Sequence, residues 1–339
     1  MKLNLYEIRF CRKDEYDKLI DFIRCHWIKD HIFCQSKEMF EFQHGNASDG
    51  YYDFVVAVHK ETEEIHAILG FIRSSTYDGC TDEPPQAIYG AVWKVRDDIQ
   101  NKEIGKLGLG VLYYLIRSFP DSTYITLGLS PYGQTVYNAI HFNFGKTKQY
   151  YIASPYVDHF CIAKNPKTEM AKSNARVFIK KLTEAENISN DFYPDKNATY
   201  IRKRYLEHPV YSYELLGVYV DNELICEWVV RTIKREESTC LRLVDMVGSL
   251  DGLNDIRGNV IDLLRQYKAE YIDCYNYGIE PEIFKRIGFF EVDDEVIIPN
   301  YFEPFERKNI DLHYACDGKK PVVIFKADGD QDRPRYVCK

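Results

Sequence analysis

Gly105-Lys106-Leu107-Gly108-Leu109-Gly110, followed at once by Val111-Leu112-Tyr113-Tyr114-Leu115-Ile116-Arg117, is the stretch on which the reading of this chain turns. A glycine has no Cβ, so a backbone rich in glycine can turn tightly and come close to an anion. The apolar run behind has the look of a helix, whose first N–H groups project outward with roughly half a positive charge. Together they predict a phosphate-binding turn, with a pyrophosphate as its natural guest. Spacing excludes the two commoner phosphate loops. No Gly-Lys-Ser/Thr ends the segment as in a Walker loop, and no acidic residue closes a strand about twenty residues on, as a dinucleotide fold requires.

The flanks extend the pattern. Residues 87–95 read as a strand interrupted by Gly90, a position where strands bulge. Residues 122–129 read as a second strand, and 135–144 as a helix closed by Gly145. This succession resembles the core of the GNAT N-acetyltransferase superfamily. There, Gln/Arg-x-x-Gly-x-Gly/Ala joins the fourth strand to the third helix, and Tyr-x-x-x-Gly ends the fourth helix. Gly108 and Gly110 match the paired small residues, and His141 stands where the tyrosine would be. Gly105 replaces the usual Gln or Arg, the connection after Val95 is longer than usual, and Lys146 follows Gly145 where an aromatic is common.

The rest of the first half agrees. Residues 3–11 read as a first strand and 13–27 as an amphipathic helix with Leu19, Ile20, Ile23 and Trp27 on one face. A helix over 36–43, a hairpin of 54–58 with 65–72, and strands at 149–152 and 159–163 complete one domain. At 339 residues and 45% hydrophobic content the chain is long enough to bury two cores. The second half repeats the order. It has a strand at 176–182, helical material to 207, a hairpin of 213–220 with 224–232 about Asp221-Asn222, and a strand at 239–247. A helix at 255–267, a strand at 271–275, a short helix at 280–289 and a last strand at 321–326 follow. Between Val247 and Asp255 no Gly-x-Gly opens the helix. The expected fold is α+β: two tandem GNAT-like acyl-CoA N-acyltransferase domains, each a mixed, mostly antiparallel sheet flanked by helices. Residues 1–165 would hold the acyl-CoA cradle, and 173–339 would be a second domain with a degenerate cofactor loop.

A net charge of −8 argues against wholesale nucleic-acid binding. No apolar run reaches eighteen residues, and Met1-Lys2-Leu3 leads straight into a strand without a signal-peptide core, so the expectation is a cytoplasmic protein with no membrane span. Ten scattered cysteines without Cys-x-x-Cys fit reduced, buried thiols. Asp328-Gly329-Asp330-Gln331-Asp332 begins like a calcium loop but meets Arg333 where glycine is needed and Lys339 where a bidentate Glu is needed, so it reads as a polar terminal turn and no metal is expected. The mixed stretch from Tyr200 to Tyr211 reads as a solvated helix face, with a nucleotide diphosphate site as the other reading.

The resemblance implies acyl transfer from acetyl-CoA, or another acyl-CoA, to the amine of a small-molecule acceptor. Backbone N–H groups from Trp93 to Val95 would stabilise the oxyanion, and Gly105, Lys106, Leu107, Gly108, Leu109 and Gly110 would hold the pyrophosphate. His141 would protonate the leaving thiolate, with Tyr137, one turn earlier, as the alternative. Asp97 and Asp98, just after the fourth strand, are candidates for the base. Trp27, His31 and His44 border the expected acceptor side, where aromatic and polar groups together suit a sugar ring. A weaker resemblance, in the tandem length and in segments such as Glu207-His208-Pro209-Val210-Tyr211-Ser212-Tyr213, is to the acyltransferases of bacterial surface-polysaccharide synthesis. It implies an amino sugar, free or nucleotide-linked, as acceptor. A peptide, amino acid or antibiotic amine is the alternative. From a different class, a ligand-binding protein could keep this fold without the chemistry.

Overall fold

In a computed structural model, which describes residues 3–46, 49–79 and 84–335, the chain forms two mostly antiparallel sheets flanked by helices, an α+β architecture. Met1, Lys2 and Lys339, which entered the reading above, lie outside the described residues. The first half runs β1 (Tyr6–Arg12), α1 (Tyr16–His26), α2 (Ile32–Gln35), α3 (Lys37–His44), β2 (Tyr51–His59), β3 (Ile65–Arg73), α4 (Ser75–Asp78), β4 (Ala87–Val95), α5 (Ile104–Ser118), β5 (Thr123–Leu127), α6 (Pro131–Ala139), β6 (Asn143–Lys146) and β7 (Lys148–Ala153). The second runs β8 (Val177–Leu182), α7 (Ala198–Ile201), β9 (Glu214–Val220), β10 (Glu223–Arg235), β11 (Ser238–Gly248), α8 (Arg257–Tyr267), β12 (Tyr271–Tyr277), α9 (Pro281–Arg286), β13 (Phe290–Glu291), β14 (His313–Cys316) and β15 (Ile324–Phe325).

The first sheet has the order β1-β2-β3-β4-β5-β14-β6 and the second β13-β7-β12-β11-β10-β9-β8. The parallel contacts are β4 with β5 and β11 with β12. β7 pairs along its whole length with β12 of the second sheet, while β14 lies between β5 and β6 of the first. The two halves therefore exchange a strand. Alternation along the strands sorts side chains to two faces. Val56 and Ile68 meet Leu19, Ile23, Phe33 and Phe40 on one side, and Val55 and Leu69 meet Leu107, Val111 and Leu115 of α5 on the other. A core around Trp228, Leu243, Val260 and Phe284 supports the second sheet. Between the sheets, Tyr89, Ile125, Tyr205, Tyr213, Val244 and Tyr275 form a further apolar and aromatic layer.

Several elements depart from the sequence reading. The helix expected over 135–144 starts earlier, because Ser130 accepts from the Gly133 N–H and Pro131 sits at the first helical position. It ends at Ala139, where His141 adopts a left-handed φ of 62° and the Phe142 N–H turns back to the Tyr137 carbonyl. The expected strand at 159–163 is a set of bends, because the Glu270 carboxylate gathers the N–H groups of Cys161, Ile162 and Ala163. The last strand shrinks from 321–326 to β15, and β14 was not foreseen. The stretch from Tyr200 to Tyr211 is no solvated face. Arg204 is buried, donating to the Tyr77 hydroxyl and the carbonyls of Ala327 and Gly329.

Candidate active site

β4 and β5 pair only from Ala87 with Thr123 to Gly90 with Thr126, and then part. Two local causes open this fork. Opposite β3, Leu69 pairs with Trp93 and Phe71 with Gly90, so β4 carries an extra residue and bulges away. The Tyr124 hydroxyl occupies the space over Gly90, 2.1 Å from where a Cβ would stand, so only glycine fits there. Thr126 Oγ1 donates to the Gly90 carbonyl at 3.2 Å and secures the branch point. Beyond it, the β4 edge from Ala91 to Val95 has no strand on the β5 side. The wedge contains a cavity of about 440 Å3, lined by Trp93, Val95, Gly105 and Gly108 on one side and Ser130 and Gly133 on the other.

The glycine-rich stretch is helix and not a turn: α5 starts at Ile104 and takes in all three glycines. The loop before it, residues 96–103, folds back so that Asn101 Oδ1 accepts from the N–H groups of both Glu103 and Ile104 at 2.9 Å, capping the helix. Glu103 in turn holds the N–H groups of Asn4 and Leu5. Gly105 and Gly108 face the wedge. A Cβ on Gly105 would meet nothing, and one on Gly108 would stand at ordinary contact, 3.5 Å from Trp93 and Val95, so their bareness leaves room in the cavity and is not demanded by packing. Leu109 lines the same cavity, Lys106 is exposed, and Leu107 is core. Gly110 faces the other way, into a separate cavity of about 510 Å3 with Leu3, Tyr6 and Ile8.

Tyr137 is buried beside the branch point, its hydroxyl 2.7 Å from that of Tyr124 and its ring centroid 5.6 Å from that of Trp93. Burial pushes its phenol well above the usual tyrosine range. His141, off the helix, is exposed, and neither it nor the buried Tyr137 lines the wedge, though Tyr137 packs against Trp93, which does. Asp97 is held by Lys94 at 3.0 Å and Asp98 by Arg96 at 2.8 Å, both in the open. The Arg96 hydrogen bond pulls Asp98 down to about 2. Trp27 is half-buried against His31, with ring centroids 5.9 Å apart. His31 caps α2 and His44 bonds the Phe71 carbonyl at 2.8 Å, and burial pushes them down to about 2 and about 3. His31 borders a cavity of about 390 Å3 shared with Arg333, whereas His44 is sealed in the core.

The equivalent fork of the second half is filled. β11 and β12 pair from Leu241 with Ile272 to Leu243 with Cys274. Beyond that, β15 pairs with β12 and the Ala327 N–H donates to the Val244 carbonyl at 2.9 Å, so the chain's own segment occupies the opening. The start of α8 is covered as well. A Cβ on Gly258 would fall 2.3 Å from the backbone of Lys172, and Asn259 is tied to Asn174 and Val177.

The segment Asp328 to Asp332, read as a polar terminal turn, is largely buried and tied by ion pairs. Asp328 pairs with Lys196 at 2.9 Å, Asp332 with Arg231 at 2.8 Å and Asp330 with Arg333 at 2.6 Å. Among the described residues of 196–213, only Lys196, on Asp328, and Tyr213, on Asp332, meet these carboxylates. Among the described residues no group of His, Cys, Asp and Glu could hold a metal ion, and no helix is long and apolar enough to cross a membrane.

No family model and no curated protein matches the chain. Among solved structures it is similar to a GCN5-related N-acetyltransferase from Anabaena variabilis, at 8% identity over 91% of this chain and 72% of that one, with a TM-score of 0.56. A putative acetyltransferase from Pyrococcus horikoshii gives 12% identity, 95% and 92% coverage and a TM-score of 0.47. The N-myristoyltransferase of Saccharomyces cerevisiae gives 10%, 95% and 81%, and 0.43. The first likeness shows the fold: this chain has the GCN5-related N-acetyltransferase fold.

Proposed function

We propose that the chain is an acyl-CoA-dependent N-acyltransferase, acetyl-CoA first, acting on a small amine at the fork of the first half. The division at 1–165 and 173–339 belongs to this reading, with the acyl donor in the first half alone. One observation carries it: the wedge between β4 and α5, walled by Trp93 and by two glycine faces that leave it open. In this reading the acyl end of the donor would lie along the unpaired β4 edge, and Lys106, exposed in the first turn of α5, would add positive charge near a pyrophosphate. When bound, the donor supplies an activated acyl carbonyl.

The chain's own groups would do the rest. The free edge from Ala91 to Val95 offers backbone N–H donors where negative charge develops as the amine nitrogen bonds the carbonyl carbon. As the carbon–sulfur bond breaks, Tyr137 would give its proton to the thiolate and recover one through Tyr124. The proton lost by the amine would leave through water toward Asp97 or Asp98. Both are held as anions by their cations, which makes them weak acceptors. The resemblance offers an amino sugar, free or nucleotide-linked, as acceptor, with a peptide, amino acid or antibiotic amine as alternative. The capping of α5 by Asn101 favours a second reading, a fold that retains the wedge without the donor. Calorimetric titration of acetyl-CoA decides between them. One site per chain, with thiol release in the presence of an amine, supports the enzyme; no binding at millimolar acetyl-CoA rejects it.

A further inference from the structure

A second cavity, of about 220 Å3, is bordered by Gly128 just past the end of β5, by Asn300, Lys326 and Glu303, and by the ion pairs Arg231–Asp332 and Arg333–Asp330. Asn300 is 3% exposed, yet among the described residues neither its amide nitrogen nor its amide oxygen has a partner. The backbone there is fixed from behind. Arg242, paired with Asp273 at 2.9 Å, donates to the carbonyls of Pro299 at 2.6 Å and Asn300 at 2.8 Å. A buried amide left unpaired carries a desolvation cost that a leucine in its place would not. Arg231 spends one N–H on Asp332 and keeps a buried Nε–H without an acceptor. Lys326 donates to the Gln331 carbonyl at 3.2 Å, and among the described residues no carboxylate comes within ion-pair distance of it. Burial and the nearby Arg242 and Arg231 push its ammonium down to about 7, against the opposing pull of Asp332 and Asp273.

Two unmatched donors, on an amide and a guanidinium, with the Lys326 ammonium beside them, suit a carboxylate, the carboxylates of Asp332 and Asp330 being held already by Arg231 and Arg333. Asn300 Oδ1 and Glu303, whose contacts with Tyr211 are long at 3.2 and 3.3 Å, remain to accept from an N–H or O–H. The volume is below the roughly 300–1,000 Å3 of sites for drug-sized ligands, so it has room for a group of amino-acid size and none for a nucleotide. Gly128 borders this cavity, and Ser130, two residues on, borders the wedge. We infer that this cavity binds the carboxylate of a small molecule of amino-acid size, so that on the acyl-transfer reading the acceptor class is a small amine bearing a carboxylate. The inference rests on the acyl-transfer reading for the nitrogen's fate, and on the cavity alone for the carboxylate.

The test uses the full chain with three probes: the standard free amino acids, their methyl esters, and glucosamine. Each is titrated calorimetrically without acetyl-CoA and then assayed for thiol release with it. At least one free amino acid should bind, and be acylated, with a KM tenfold or more below that of its ester. Asn300→Leu should raise that KM tenfold or more without lowering the melting temperature, and with the acetyl-CoA affinity as it was. Asn300→Ala serves if the leucine does not fold, and Lys326→Met should weaken the free acid more than the ester. Equal use of acid and ester, or an unchanged KM in the Asn300 variants, overturns the inference. Acylation of glucosamine alone overturns it and leaves the acyl-transfer reading standing. Binding of free amino acids that Asn300→Leu abolishes, in a protein that ignores acetyl-CoA, upholds the carboxylate site and rejects the transfer.

Discussion

At the scale of single residues, Tyr137 and His141 are four apart in sequence and opposite in circumstance. Tyr137 lies at the branch point with a hydroxyl partner, while His141 is exposed in a left-handed turn. Tyr137→Phe should therefore lower turnover by about a hundredfold with acetyl-CoA affinity little changed, and His141→Phe should leave turnover as it was. Steady-state kinetics with calorimetry checks both; the reverse ranking would return the acid to His141. The buried histidines give a second prediction. Burial holds His31, His44 and His208 neutral, at about 2, 3 and 3, against an ordinary value near 6.5. Between those values the unfolded chain binds a proton that the native chain refuses, so stability is full above pH 6.5 and falls as the pH drops. Each should contribute a slope of about 1.4 kcal/mol per pH unit. Glu227, raised by burial to about 7, works in the opposite sense, its contribution falling as the pH rises from 4.5 through 7. His44→Asn, which keeps a donor for the Phe71 carbonyl, should shed one histidine's share of the slope in urea unfolding between pH 6.5 and 5. An unaltered slope would show that His44 is charged in the native state.

At the scale of elements, α5 and α8 are the same helix put to different uses. In α5, Gly108 faces the wedge and Gly110 the opposite cavity. Gly108→Glu should place a carboxylate at the entry and abolish acetyl-CoA binding, whereas Gly110→Glu should cost stability first. Gly252→Glu, before α8 and open to solvent, should leave binding intact despite the strain of its φ of 81°. Loss of binding in Gly252→Glu alone would put the donor in the wrong half. The order of elements up to β5, apart from the short α2 and α4, and the bulge at Gly90 were legible because each rests on local spacing. The start of α5 was not, since it depends on Asn101 reaching forward to cap a helix that glycine content argues against. Nor was the bend at 159–163, shaped by a carboxylate more than a hundred residues away in sequence. His31 and His44 looked like acceptor groups because a sequence shows residue type and not burial.

At the scale of the whole molecule, the exchange of β7 and β14 decides whether either half can stand alone. Residues 1–165 without β14 would leave the facing edges of β5 and β6 unpaired and expose β7, whose Tyr150, Tyr151 and Ile152 are buried in the second sheet. An apolar strand with open edges is a template for aggregation. The fragment would also lose the inter-sheet layer in which Tyr89 and Ile125 meet Tyr205 and Val244. The second half is needed for a further reason. Its segment from β15 to Arg333 fills its own fork, crosses to the first sheet, where a Cβ on Gly128 would collide with Gln331, and walls the cavity beside the first fork. One half thus carries the open wedge while the other closes its own and builds the neighbouring wall. Residues 1–165 expressed alone should be insoluble or lack a cooperative unfolding transition, and co-expression with residues 166–339 should recover a soluble complex that binds acetyl-CoA. If 1–165 alone unfolds cooperatively and binds acetyl-CoA as the full chain does, the strand exchange is dispensable, and the second half would have to owe its place to the acceptor side of the cleft alone.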